Sequence, residues 1–325
     1  MTYRKVTYFS VIMIGFTALS IYSLTTSQIT VTEGFMTSRQ AYTEDELRKK
    51  IETEAKQRYL APIDAKIDPV WKAIPGYNGI EVDIEQTLKL ARSHDKDTAI
   101  HYITREIEPS IKLTDLGAYP IYKGNPHKPM VSLMINVAWG EEHIPSMLET
   151  LRNEHVHATF FFDGSWLSTH IDIAQNIAQQ GHELANHAYS HPNMSRLTRQ
   201  QAIDEISKTQ LLLSNELLIN NTLFAPPSGD FNQQTLDIAA QFNLHTVLWT
   251  LDTVDWKNPG AQHILHRIAT RVEPGTLILM HPTISSSQAL PQMIQSIKQK
   301  GLVLGTVSEL ISSRRIPLTL AQLND

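Results

Sequence analysis

The chain has 325 residues, 42% of them hydrophobic, with 28 Lys and Arg against 33 Asp and Glu and no cysteine. That length suits one large domain or a large one with a small one, and the ordinary composition excludes a disordered or collagen-like chain. A net charge of −5 argues against nucleic acid as the main partner, and the lack of cysteine excludes disulfides, thiolate metal sites and a thiol nucleophile.

Arg4 and Lys5 precede an uncharged run over residues 6–32, whose apolar heart is 6–24. A basic flank before an apolar segment reads as a signal peptide or a membrane anchor. The run is long enough to span a bilayer, and Ala18-Leu19-Ser20 is its nearest approach to a cleavage site. Either way, the positive-inside rule predicts an extracytoplasmic protein, secreted or held on the outer face of the cell membrane.

Residues 33–129 read as a helical stalk and a small α+β module. Thr43 and Glu46 form a capping box, and Leu47, Ile51, Ala55 and Tyr59 follow at helical spacing. Asp68-Pro69, Ile74-Pro75-Gly76 and Asn78-Gly79 are turn signals. Asp83 with Gln86 opens a second helix through about residue 92, and 99–107 alternates like a strand. The basic stretch Lys123-Gly124-Asn125-Pro126-His127-Lys128-Pro129 is a linker.

From residue 130 short apolar strands alternate with helices. Strands are predicted at 130–137, 158–162, 183–185, 223–225, 246–250, 276–280 and 302–304. Helices are predicted at 144–153, 167–179, 198–218, 232–242, 261–271, 289–300 and 307–312. This alternation indicates parallel βα units. About seven units in so short a stretch predict an α/β fold, a distorted and incomplete (β/α) barrel. Its site would lie at the C-terminal strand ends. The polar residues there are Asn136, Asp163, His187 with His191, Ser228 with Asp230, Asp252 with Asp255, and His281. His187 and His191, four apart, would share one face of a helical turn, a spacing at which two imidazoles reach one divalent cation.

Residues 130–313 resemble the polysaccharide deacetylase family (NodB homology domain, carbohydrate esterase family 4). The resemblance rests on Ala158-Thr159-Phe160-Phe161-Phe162-Asp163-Gly164, on Gly181-His182-Glu183-Leu184-Ala185-Asn186-His187-Ala188-Tyr189-Ser190-His191, and on Phe224-Ala225-Pro226-Pro227-Ser228-Gly229. Leu251-Asp252-Thr253-Val254-Asp255-Trp256, Leu279-Met280-His281 and Thr306-Val307-Ser308-Glu309-Leu310 follow in the family's order. It implies removal of acetyl groups from an N-acetylated polysaccharide, peptidoglycan first, with a divalent metal such as zinc as cofactor. It implies metal binding by His187 and His191 and a general acid at His281, oriented by Asp255. It implies substrate contacts from Trp256, Leu279, Ser228 and Pro227.

The chain departs from the family at its first motif, Thr-Phe-Asp-Asp-Gly. Here the residues are Met134-Ile135-Asn136-Val137-Ala138. Asn136 stands where the base belongs, and an amide cannot take up a proton at neutral pH. Val137 stands where the metal carboxylate belongs and ligates nothing. The arginine that steadies the base is Ala225. Two readings follow. In one, the protein is a hydrolase whose missing carboxylate is replaced by Asp163, with Glu141 and Glu142 as weaker candidates. In the other, it is a catalytically inactive glycan-binding protein.

Overall fold

The computed structural model describes residues 43–93 and 99–316. The run at 6–32, expected as a membrane segment, lies outside them. Among the described residues no helix is long and apolar enough to cross a membrane.

The first elements are α1 (Glu44–Arg58), β1 (Lys66–Asp68), β2 (Lys72–Ile74), β3 (Gly79–Val82), α2 (Ile84–Ser93) and β4 (Thr104–Ile107). Both halves of the Thr43–Glu46 capping box form. The Asp83 carboxylate accepts from the Gln86 N–H at 3.0 Å, closing the start of α2. β1 pairs antiparallel with β2, and β3 with β4. Ile51, Val82 and Leu88 bury their side chains between the helices and the second pair. The stretch read as turns thus holds a short hairpin. The strand expected over 99–107 is paired only from Thr104.

The remaining elements are β5 (Met130–Val137), α3 (Ile144–Asn153), β6 (Thr159–Phe162), α4 (Gly164–Leu167), α5 (Ile171–Gln179), β7 (Glu183–Asn186), α6 (Arg199–Asn215), β8 (Leu223–Phe224), α7 (Gln233–Gln241), β9 (His245–Thr246), β10 (Leu251–Asp252), α8 (Ala261–Arg271), β11 (Leu277–Met280), α9 (Ile284–Gln299), β12 (Val303–Gly305) and α10 (Val307–Ile311). The sheet runs β10-β11-β5-β6-β7-β8-β9, with β12 also on β5, and every pairing is parallel. A parallel sheet with a helix after nearly every strand is the expected distorted (β/α) barrel.

Strand periodicity sorts the side chains into two cores. Val131, Leu133, Ile135 and Val137 of β5 pack under the helices with Leu148, Phe160 and Phe162. Met130 and Met134 point the other way, into the barrel, with Phe161, Ala185, Ala225 and Leu277. Successive strand residues face opposite sides, so Asn136 belongs to the inner face and Val137 to the outer one.

The path leaves an open seam between β9 and β10, and the segment before β5 fills it. The Ile121 N–H donates to Thr246 O at 2.9 Å, and the Leu248 N–H donates to Ile121 O at 2.8 Å. The Thr250 hydroxyl donates to Tyr122 O at 2.6 Å, and Lys123 bridges to Thr276. The Ile121 side chain is buried in the inner core. Ile121→Ala is therefore expected to destabilise the protein by about 2–5 kcal/mol, the range for emptying a buried aliphatic site. A urea unfolding curve measures this, and a midpoint equal to wild type would show that the seam segment is not load-carrying. Nearby, buried Lys128 donates to Glu309 O and Ser312 O, while burial lowers its pKa to about 8. These contacts bind the segment to the last helix.

Candidate active site

Five strand ends build the mouth. β5 delivers Asn136, β6 Asp163, β7 His187, β10 leads to Asp255, and β11 ends just before His281. All but His281 are almost fully buried.

The acid half of the site is fully bonded. Asp255 Oδ1 lies 2.8 Å from His281 Nδ1. Asp255 Oδ2 accepts from the His281 N–H at 2.6 Å and from the Ser286 hydroxyl. Burial alone would raise the Asp255 carboxyl, but the bond and charge of His281, the Ser286 hydroxyl and the His281 N–H together hold it below the ordinary range. The carboxylate fixes the imidazole tautomer: Nδ1 carries hydrogen, and Nε2 is left for the groove. Ser286 escaped the sequence reading, because nothing in a Ser-Ser-Ser helix start marks which hydroxyl turns inward.

The other half is wired differently. The His187 ring sits against the Ala225 carbonyl, 2.7 Å from Nδ1. A carbonyl only accepts, so Nδ1 donates and Nε2 keeps its lone pair. That lone pair faces the Asn136 amide, whose Nδ2 lies 3.4 Å away and donates to it. Burial first, and then the nearby His191, lower the His187 pKa to about 3. The His191 ring lies edge-on to His187 at 5.2 Å and is exposed.

The two histidines do not share a helical turn. The chain from His187 to His191 is a loop in which Ala188 and His191 both take positive φ. Its shape is set by hydrogen bonds that no local spacing reveals. Glu205 of α6 accepts from the Tyr189 and Ser190 N–H groups at 2.9 and 2.8 Å. Thr209 donates to Ala188 O at 2.6 Å. The Asn186 side chain accepts from the Ala188 N–H at 2.9 Å.

Asp163 does not complete a metal set. Its Oδ1 caps α4, accepting from the Trp166 N–H at 3.0 Å and from the Ser165 hydroxyl. The amides of Gly164 and Ser165 in turn hold the carbonyls of Ala188 and Tyr189. Oδ1 thus helps to shape the histidine loop, while Oδ2 is buried without a hydrogen-bond partner among the described residues. Among the described residues no three His, Cys, Asp or Glu side chains come together as a metal-holding group. Glu141 accepts from the Trp166 indole at 3.3 Å instead. Val137 is buried on the helix side of β5. Two imidazoles and an amide carry no anion to neutralise a dication, so the donors present do not fit a closed Asp-His-His site.

The groove walls are uneven. Leu279 is buried beside Met134 and Asp252 in the sheet register. Ser228 is exposed with φ 55°, next to buried Pro227. Trp256 is exposed and carries the Lys257 ammonium over its ring at 4.7 Å. Trp139, which the sequence did not single out, lies parallel to His281, with ring centroids 5.9 Å apart. Asp230 is turned away, accepting from the Ser195 N–H and hydroxyl.

With this geometry in view, the known relatives can be read. Residues 123–247 match the family model described as polysaccharide deacetylase. The protein YlxY of Bacillus subtilis is 42% identical over 272 residues, 84% of this chain and 85% of that one. A solved structure of BA3943, described as a CE4 family pseudoenzyme from Bacillus anthracis, is 40% identical with a TM-score of 0.75, covering 83% of this chain and 96% of that one. A mutant of BA3943, solved with the same TM-score, is described as having restored enzymatic activity. The peptidoglycan-N-acetylglucosamine deacetylase of Bacillus cereus is 30% identical over 215 residues, 62% of this chain and 78% of that one.

Proposed function

Since the chain belongs to the polysaccharide deacetylase family, carbohydrate esterase family 4, we propose that it recognises N-acetylated cell-wall glycan, peptidoglycan foremost, without turning it over. The observation that carries this is the Asn136–His187 contact. The amide takes the imidazole lone pair that a metal would need, and it offers no base. Among the described residues no Asp or Glu joins His187 and His191 in a metal-holding group of three, which supports this reading. The substrate class follows from relatives such as the Bacillus cereus deacetylase. The apolar run at 6–32 supports export and retention at the outer membrane face, where such glycan lies.

A second reading, slow deacetylation, is favoured by the Asp255–His281 pair. Its geometry is that of a general acid: Asp255 supports the imidazolium, and His281 Nε2 can pass a proton to a leaving nitrogen. An acid alone has nothing to activate the attacking water.

The full chain should bind a pentamer of β-1,4-linked N-acetylglucosamine by calorimetry, with affinity unchanged by EDTA and no acetate released above buffer. Absence of binding would end the glycan reading. Acetate release abolished by His281→Ala would replace it with the hydrolase.

A further inference from the structure

We propose that Trp139 is the sugar-stacking platform of this groove, a specificity-determining residue that lays its indole against the apolar face of an N-acetylated pyranose. The inference rests on the glycan reading above and names the side chain that does the recognising.

Trp139 follows β5 at the barrel mouth, yet 47% of it is exposed. A large exposed aromatic at the rim of a site is informative where a scattered small apolar residue is not. Its ring is not loose. It lies within 7° of parallel to His281, and His281 is itself fixed by Asp255 through both its ring and its backbone N–H. The next residue, Gly140, has φ +85°, and a Cβ there would lie 2.1 Å from Pro282 O. The loop after β5 is therefore pressed onto the loop after β11, and only glycine permits that approach. The two rings are parallel but offset, and nearly half of the residue stays open to solvent.

The chemistry of that surface suits a sugar. A pyranose presents axial C–H groups on one face and hydroxyls at its rim, so it needs a flat apolar platform bordered by polar groups. Indoles fill that role because they bury much area at little entropic expense and tolerate a wet edge. Trp256, the other exposed indole near the acid pair, already carries the Lys257 ammonium over its ring. Trp139 is the better platform.

The test uses the full chain and the N-acetylglucosamine pentamer. Trp139→Ala and Trp139→Leu are each expected to weaken binding about tenfold, and Trp139→Phe only about threefold, because Phe keeps a smaller aromatic face. Binding should shift tryptophan fluorescence in wild type and in Trp71→Phe, which alters an indole of the small module under Lys123. The shift should be lost in Trp139→Phe. Trp139→Leu binding as tightly as wild type would overturn the platform while leaving the glycan reading intact. No binding by wild type would overturn both.

Discussion

Asn136→Asp is expected to give the protein an affinity for divalent cations at least about 100-fold above wild type, measured by calorimetric titration with zinc. The reason lies in the His187 tautomer. Its Nδ1 is committed to the Ala225 carbonyl and its Nε2 lone pair accepts from the Asn136 amide. An aspartate of the same shape would set a carboxylate against that lone pair. Two acceptors repel, and only a proton or a cation between them relieves the clash. With His191 beside the pair, a cation would find one carboxylate and two imidazoles. If the variant binds zinc no better than wild type, the amide–imidazole contact is not what stands in for the metal. Val137→Asp is the poorer way to add the charge. Val137 sits in the apolar layer beneath the helices, where an unpaired carboxylate costs several kcal/mol or stays protonated. Restoring both family aspartates therefore asks the end of β5 to twist, not merely to change residues.

Between pH 7.5 and pH 5 the protein should lose stability on the order of 2 kcal/mol through His187 alone. Its pKa is lowered from 6.5 to about 3 by burial. The unfolded chain therefore binds the extra proton from about pH 6.5 downward, while the folded ring stays neutral until about pH 3. Stability is complete above 6.5 and is lost as pH falls across that window. His182, lowered to about 4 by burial and by His157, adds a loss of the same sign and a similar order. The depressed Asp255 carboxyl acts in the same direction, but only as pH falls below the ordinary carboxylate range. Urea midpoints at pH 7.5 and 5 measure the effect. A His187→Asn variant should show a visibly flatter dependence, and an unchanged slope would mean the imidazole is hydrated and can charge in place.

Much of the fold was legible because its signals are local. The capping box at Thr43–Glu46 closes as read and Asp83 accepts from the Gln86 N–H, and β5 spans the residues its apolar run marked. Where the reading slipped, a distant partner decided. The stretch at 246–250 alternates like a strand, yet β9 ends at Thr246 and Val247 bridges to Ile121, far upstream. The helix expected over 167–179 is two, α4 and α5, broken at His170, whose φ of −134° is not helical. No glycine or proline announces that break. The helix expected from 289 starts at Ile284, where the Thr283 hydroxyl accepts from the Ser286 N–H and caps it more than a turn earlier.

The site divides in the same way. Asp255 and His281 could be paired only through the family's motifs, since 26 residues separate them. Asp163 was placed at the right strand end, but its Oδ1 went to a helix cap, a use that Asp favours. The bend from His187 to His191 depends on Glu205 and Thr209, and Trp139 depends on Gly140 meeting Pro282. None of these has a short-range signature.

The strand-like passage of Ile121 to Lys123 through the barrel wall makes the amino-terminal module something other than a passenger. A tethered neighbour could swivel on its leash; this one is stitched into the masonry, and to tilt it would pull a stone from the wall. Whatever the module touches is consequently held at a constant bearing to the groove.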